Sequence, residues 1–146
     1  MKRFEERVEI NAPASSVYDY VSDFSKHGEW GGHGLQVTQD TQGPVQVGTT
    51  FSTTAKQFGT QREHSTITEM SPAKAFYWDS KGALGTVHHG FAMSDEAGST
   101  KLTKSAEFTQ PSFLAKMTGW KLSKDVPAGL RNDLQNIKSH LEALPS

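Results

Sequence analysis

The candidate chemistry begins with two adjacent histidines, His88 and His89, in the segment TVHHGFAM. Neighbouring side chains of a strand point to opposite faces, so the two imidazoles cannot bind one metal ion together in a regular strand. His89 shares its parity with Val87, Phe91 and Met93, which places it inside the sheet and His88 outside. An imidazole in an apolar interior is a hydrogen-bonded core histidine, a donor that orients a ligand, or a general base.

Glu63 is the second candidate, in the segment REHSTIT. It shares parity with Ile67, which predicts that Glu63 points inward and His64 outward unless a bulge reverses the order. An inward Glu63 would pair with His89 or Lys56, and a carboxylate beside a histidine prepares it for proton transfer. The alternative is a solvated charge at the edge of the sheet. We take His89 and Glu63 as the candidate catalytic residues.

The segment HGEWGGHG, residues 27–34, contains four glycines: Gly28, Gly31, Gly32 and Gly34. A phosphate-binding loop places its glycines between a strand and a helix and adds lysine and serine or threonine, whereas these glycines lie between a predicted helix and a predicted strand. The segment is then either a helix end or the mobile lip of a pocket, and we interpret it as the lip. His27 and His33 flank the glycines, but the histidines lack the spacing of metal ligands, so we expect no metal.

The sheet that would position these residues begins with a strand at residues 3–10, where apolar and charged residues alternate. Beyond the glycines, turn signals such as MSPAK and SKGALG divide a region rich in threonine, valine and aromatics. Its short connections predict an antiparallel meander with one covered and one wet face. We place the six further strands at residues 34–40, 48–58, 61–70, 74–80, 85–94 and 100–109.

Short helices are predicted on both sides of this meander. Between the first two strands, Pro13 begins one helix, and Asp23 or Ser22 caps a second that carries Trp30. After the last strand, residues 111–120 form a short apolar helical stretch.

A long closing helix is predicted near residues 125–143, with Pro127 in its first turn. The inner face of this helix steps by four, three, four and three residues through Leu130, Leu134, Ile137, Leu141 and Leu144. Its outer face carries Asn132, Asp133, Gln135, Lys138 and Glu142. Because no other amphipathic element is long enough, this helix must cover the apolar face of the sheet.

Composition restricts the function classes. The 146 residues suit one domain, and 15 basic against 16 acidic residues leave no basic excess for nucleic acid. The absence of cysteine excludes disulfides, thiolate catalysis and cysteine-bound metals. The charged, alternating N-terminus does not resemble a signal peptide, and no apolar run approaches the roughly 18 residues of a membrane helix. We therefore expect a cytoplasmic protein with no membrane insertion.

Several sequence segments resemble those of the START-like, or SRPBCC, superfamily. The first strand and helices of that superfamily are similar to VEINAPASSVYDYVSDFSKHGEW, and its strand–proline–strand hairpin is similar to ITEMSPAKAFYW. Its seventh strand is similar to GSTKLTKSAEF, and its closing helix is similar to LRNDLQNIKSHLEAL. The sequence pattern is most similar to that of the bacterial polyketide cyclase/dehydrase-like group. The resemblance implies an α+β helix-grip domain over residues 1–146, with a seven-stranded curved antiparallel sheet wrapped around the closing helix and an apolar cavity between them.

The resemblance also implies three alternative functions: a binding protein for a small lipid, polyketide or aromatic; a polyketide cyclase or dehydratase with His89 as acid/base; and a partner-binding module with a filled cavity. We favour the binding protein, as a monomer or weak homodimer that needs no cofactor. Apolar walls with a few convergent polar groups are typical of small-molecule sites. The expected ligand contacts are Trp30, Phe51, Trp78, His89, Phe91, Met117, Trp120 and Leu134.

Overall fold

The computed structural model describes residues 2–31, 34–56 and 60–143, with Lys56, Thr60 and Gln61 described by their backbone alone. In chain order the elements are β1 (Arg3–Ile10), α1 (Ala14–Val21), a 3-10 turn (Phe24–Lys26), α2 (His27–Gly31), β2 (Gln36–Gln39), β3 (Thr50–Lys56), β4 (Thr60–Ser71), β5 (Ala75–Gly82), β6 (Gly85–Glu96), β7 (Ser99–Pro111), α3 (Phe113–Met117) and α4 (Gly119–Glu142).

The strands form one seven-stranded sheet in the order β1-β7-β6-β5-β4-β3-β2, with every neighbouring pair antiparallel. Strands β2 to β7 are the predicted meander, and β1 pairs with β7 at the far edge. Helix α4 packs against β1, β7 and α2. The predicted α+β helix-grip architecture, with two short helices between the first two strands, is therefore confirmed.

Strands β5, β6 and β7 each extend two residues beyond their predicted C-terminal ends, and tight turns join them. Strands β5 and β6 are joined by two residues, with Gly82 paired to Gly85, and β6 and β7 by Ala97 and Gly98. Ala97 and Gly98 both have positive φ, as a two-residue hairpin turn requires. Strand β2 is shorter than predicted, and residues 57 and 58 of the predicted second meander strand lie outside the described residues.

Alternation along the strands divides the sheet into an inner and an outer face. Ile67, Phe76, Phe91 and Leu102 point inward and are almost completely buried in the main core. The bulge in β4 follows Ile67, so it leaves the inward parity of Glu63 intact. Burial of side chains of this size contributes about 1.5–3 kcal/mol each.

The prediction for α4 was right for its inner face and wrong for its start. Leu130, Leu134, Ile137 and Leu141 are buried, whereas Leu144 lies outside the described residues. The helix begins at Gly119, not near residue 125, so Pro127 lies in its interior instead of its first turn.

The early start of α4 has a packing cause. Leu122 and Val126 pack against a second apolar cluster of Phe4, Val87, Ala106, Phe108, Ala115 and Leu130, which stabilises the turns before the proline. The predicted helical stretch at residues 111–120 is shorter than expected, because Pro111 still belongs to β7 and α3 covers only Phe113–Met117. Within the described residues, no helix is long and apolar enough to cross a membrane.

Candidate functional site

A cavity of about 200 Å³ lies between the sheet and the N-terminal half of α4, and we call it the His89 cavity. Its apolar walls come from β6, β7, the β5–β6 turn and α4, and its polar groups from β4, β6, β7 and α4. The lining residues are Glu63, Leu84, Val87, His89, Lys104, Ala106, Phe108, Val126, Gly129, Leu130 and Asp133.

His89 points into this interior, as its parity predicted. Its Nε2 lies 3.0 Å from the Ser80 Oγ on the neighbouring strand β5. The imidazole stacks on the Trp78 ring, with 5.3 Å between centroids and 17° between planes. Part of His89 remains accessible, but its Nδ1 is buried and has no hydrogen-bond partner within the described part of the chain. A ligand group that reached Nδ1 would satisfy a polar atom that now costs free energy.

The electrostatic surroundings keep His89 neutral. Burial, with a smaller contribution from the positive charge of Lys104, lowers the pKa of His89 to about 3. At neutral pH the imidazole is therefore a hydrogen-bonding group with one donor and one acceptor nitrogen. With so low a pKa it accepts a proton only weakly.

Glu63 also faces the His89 cavity, which agrees with the parity prediction. Burial raises the pKa of the Glu63 carboxyl, while a hydrogen bond with Ser80 lowers it in part. Ser80 is thus shared between the carboxyl and the imidazole, where the sequence had suggested direct pairing of Glu63 with His89. The other suggested partner was Lys56, whose side chain is outside the described residues.

A buried ion pair, Lys104–Asp133, completes the polar groups of the cavity. The Lys104 Nζ lies 3.3 Å from a carboxylate oxygen of Asp133, and the Lys104 side chain is only 5% exposed. The same ammonium lies 5.5 Å from the ring centroid of Trp30 and 5.7 Å from that of Phe91. The sequence placed Asp133 on the outer face of α4, and this was wrong: the helix is rotated so that Asp133 reaches inward to β7.

A second cavity, of about 440 Å³, adjoins the first and is called the Phe4 cavity. It lies between β1, the end of β7 and the α3–α4 segment. Its lining residues are Lys2, Phe4, Phe108, Pro111, Ala115, Lys116, Gly119 and Leu122. Phe108 lines both cavities, so its ring lies between them.

The predicted ligand contacts fall into three groups. His89 lines a cavity. Met117 and Trp120 are exposed on the outside of α3 and α4, next to Lys116 and Gly119 of the Phe4 cavity. The remaining five pack together in the main core and line neither cavity: Trp30, Phe51, Trp78, Phe91 and Leu134.

The glycine segment lies apart from both cavities where it is described. Neither cavity is lined by Gly28, Gly31 or Gly34. A Cβ at Gly28 would lie 2.6 Å from the Leu35 carbonyl oxygen, so this glycine permits a close approach of backbone. Gly32 and His33 lie outside the described residues. These positions favour the helix-end interpretation over the pocket lip.

Three further histidines line neither cavity. His27 is buried, with its Nε2 2.9 Å from the Val21 carbonyl oxygen. On the outer face, the His88 Nδ1 lies 2.6 Å from Asp79. His64 is exposed, as predicted, and its Nδ1 lies 3.2 Å from the Ser52 Oγ. No group of three potential metal ligands is found among residues 2–31, 34–56 and 60–143.

The outer face also brings serine, histidine and aspartate together, in an unproductive order. The Ser52 hydroxyl donates to Asp40 and contacts His64, so the serine lies between the other two. A catalytic triad requires the histidine in the middle, where it takes the serine proton. This set is therefore a surface hydrogen-bond network.

Comparison with known proteins gives one family and several similar folds. The family described as polyketide cyclase / dehydrase and lipid transport matches residues 1–142. No curated protein matches the sequence.

The similar structures cover nearly the whole chain at low identity. The Zhui aromatase/cyclase from Streptomyces sp. R1128 has a TM-score of 0.80 at 14% identity, with 97% of this chain and 93% of that chain covered. Ara h 8.0201 has a TM-score of 0.72 at 14% identity, with 98% and 99% covered. DynU16, from the dynemicin biosynthetic locus, has a TM-score of 0.69 at 16% identity, and this chain spans about half its length, with 98% and 48% covered. At these identities the likeness concerns the fold alone.

Proposed function

Because this chain belongs to the family described as polyketide cyclase / dehydrase and lipid transport, we propose that it binds a small hydrophobic molecule between the sheet and α4. The polar end of the ligand would lie at His89 and Lys104, in a single domain formed by residues 1–146. One observation carries the proposal: the apolar walls of the His89 cavity contain a few convergent, buried polar groups.

The chemistry of those groups favours a ligand with one polar end. The buried Nδ1 of His89 lacks a partner within the described residues and can hydrogen-bond a hydroxyl or carbonyl. Lys104 adds a positive charge in the same walls, although Asp133 already neutralises much of it. The remaining walls are aliphatic or aromatic and favour a hydrocarbon or aromatic body.

The volume of the His89 cavity also favours a small ligand. A volume of about 200 Å³ holds only a small ligand or one end of a larger one, because drug-sized sites are roughly 300–1,000 Å³. The Phe4 cavity lies on the other side of the Phe108 ring. A longer ligand would reach it if that ring changed its rotamer.

A second candidate function is an enzyme with His89 as acid/base and Glu63 assisting. The specific observation in its favour is the shared Ser80 hydroxyl, which links a carboxyl of raised pKa to the imidazole beside a cavity. Against it, the pKa of His89 near 3 makes this imidazole a weak base at pH 7. The third alternative, a partner-binding module, assumed a filled interior, and the two cavities favour ligand binding instead.

Native mass spectrometry of the purified protein, followed by denaturing extraction, is the first test. A co-purifying hydrophobic molecule supports the proposal and identifies the ligand class. The fluorescent probe 8-anilinonaphthalene-1-sulfonate, which joins an apolar body to an anionic group, then measures the affinity of the emptied site.

Gly129 is exposed at the rim of the His89 cavity, so Gly129→Leu adds a side chain there without crowding the core. A Cβ at Gly129 meets no atom within 4 Å, although this residue lines the His89 cavity. Replacement of a helical glycine also favours the helix, by roughly 0.5–1 kcal/mol for alanine. We expect a loss of probe binding of about 4- to 15-fold from the lost burial of one or two methylene groups, each worth about 0.8 kcal/mol.

Ala128→Leu is the matched control, because Ala128 is exposed on the same helix, as Gly129 is, but lines neither cavity. It should bind the probe as the wild type does. Equal binding by all three proteins, or no binding by the wild type, would exclude the His89 cavity as the site. Turnover of a polyketide-like substrate that is lost in His89→Gln but retained in Ala128→Leu would favour the enzyme.

A further inference from the structure

Large apolar side chains are exposed on the outside of α3 and the first turn of α4. Phe113 is 77% exposed, Met117 61% and Trp120 79%, and Leu114 is about half exposed. On the opposite side of α3, Ala115 is buried against the second apolar cluster. We call the four exposed side chains the α3–α4 patch. Such a group of large apolar side chains on a protein surface marks an interaction site.

The charges around the α3–α4 patch are mostly positive, although Asp125 directly follows the lysine-containing segment. Residues 113–124 contain three lysines, Lys116, Lys121 and Lys124, and no aspartate or glutamate. The rest of the chain must therefore be acidic on balance, because the whole sequence has a net charge of −1. Lys2, directly before β1, lies at the same end of the molecule, where its ammonium contacts the Ser123 hydroxyl.

This combination identifies the surface that the patch would bind. Phenylalanine, tryptophan and leucine beside lysine are typical of helices that lie in the interface of an anionic membrane. Each lysine near such a surface adds about 1 kcal/mol of attraction to the lipid headgroups. A symmetric contact with a second copy of this chain would instead place these lysines against each other, which is unfavourable.

We propose that the α3–α4 patch docks peripherally on an anionic lipid bilayer, with its apolar side chains among the headgroups and its lysines over the phosphates. Ala115, Lys116 and Gly119 belong to the same segment and line the Phe4 cavity. Docking would therefore bring that cavity next to the lipid. Contact of this kind needs no helix that crosses the membrane.

Tryptophan fluorescence provides a direct test, because Trp120 is exposed whereas Trp30 and Trp78 are buried. Vesicles of phosphatidylcholine mixed with phosphatidylglycerol should shift the emission to shorter wavelength, and vesicles of phosphatidylcholine alone should do so much less. Co-sedimentation of protein with the same vesicles measures the partition coefficient. Replacement of Lys116 and Lys124 by glutamine should lower that coefficient about fivefold for each lysine.

Phe113→Glu combined with Met117→Glu should abolish vesicle binding while it keeps Trp120 as the reporter. Val47→Glu is the matched control, because Val47 is 59% exposed on another part of the surface, and it should bind as the wild type does. Circular dichroism melting curves check that each variant is folded. Because both replaced residues lie outside the two cavities, probe binding in the His89 cavity should stay unchanged, which separates this test from that of ligand binding.

Four results would overturn the proposal. They are the absence of a shift with anionic vesicles, equal binding to neutral and anionic vesicles, undiminished binding by the double glutamate variant, and a concentration-dependent dimer that this variant abolishes. The last result would assign the patch to a second copy of the chain.

Discussion

Acidification from pH 7 to pH 5 should destabilise this protein through two inward histidines, His27 and His89. Burial lowers the pKa of each to about 3, against 6.5 for an unperturbed histidine. In the unfolded chain both imidazoles bind a proton below pH 6.5, while in the folded protein they stay neutral until far lower pH. Since the unfolded state binds more protons, the free energy of unfolding falls as the pH falls through this range.

The size of the effect follows from the two pKa values. Between pH 7 and pH 5 each histidine lowers the free energy of unfolding by about 2 kcal/mol, or about 4 kcal/mol together. This is a large part of the 5–15 kcal/mol by which domains are typically stable. Glu63 acts in the opposite direction, because burial raises its pKa and the folded state then takes up a proton more readily than the unfolded chain.

Urea unfolding at both pH values, followed by circular dichroism, measures the loss. His27→Gln keeps an N–H donor for the Val21 carbonyl oxygen but cannot titrate, so its loss should be about 2 kcal/mol smaller than that of the wild type. His64→Gln is the control, since His64 is exposed, and it should retain the full loss. The reasoning is refuted if His27→Gln and the wild type lose equal stability between the two pH values.

Two further changes test packing, one on the outer face of the sheet and one beside the His89 cavity. Gly90→Ala would place a Cβ 1.8 Å from the Tyr77 ring and should cost about 1–3 kcal/mol, seen as a lower melting temperature. The same change in a Tyr77→Ala background should cost far less, and an equal cost in both backgrounds would contradict the clash. Asp133→Asn would leave the buried Lys104 without its counter-charge and should cost about 3–5 kcal/mol in urea unfolding. Adding Lys104→Met should recover much of that loss, and wild-type stability of Asp133→Asn alone would show that the ion pair contributes nothing.

Most of the sheet could be predicted because its signals are local. The alternation in RFEERVEI defines β1 to the residue, and turn signals separate the later strands. The start of α4 could not be predicted in this way. It depends on the packing of Leu122 and Val126 against residues that are distant in sequence, such as Phe4 and Val87. Nothing within the helix itself shows that contact.

The polar groups of the site were only partly predictable. Parity along a strand was sufficient for His89 and Glu63. It also held for Lys104, which was overlooked although it has the same parity as the buried Leu102 and Ala106. Asp133 is different, because a stripe of leucines fixes the rotation of a helix only approximately. A residue beside the stripe, such as Asp133 next to Leu134, can therefore lie on either side of the boundary.

Whether an inward aromatic residue contacts a ligand or packs in the core depends on how completely the surrounding side chains fill the interior. Those side chains come from several elements, so the sequence of one element does not show it. Around the C-terminal half of α4, large side chains such as Phe24, Phe76 and Trp78 fill the space, together with Leu134 and Ile137.

The N-terminal half of α4 differs because it carries Gly129 and faces Ala106, so small side chains on two elements leave the His89 cavity open. The main core thus packs against the C-terminal half of α4, whereas the His89 cavity adjoins its N-terminal half. Gly129 lies in the N-terminal half of α4 and contributes little to packing, so its enlargement tests ligand binding without disturbing the core that holds the fold together.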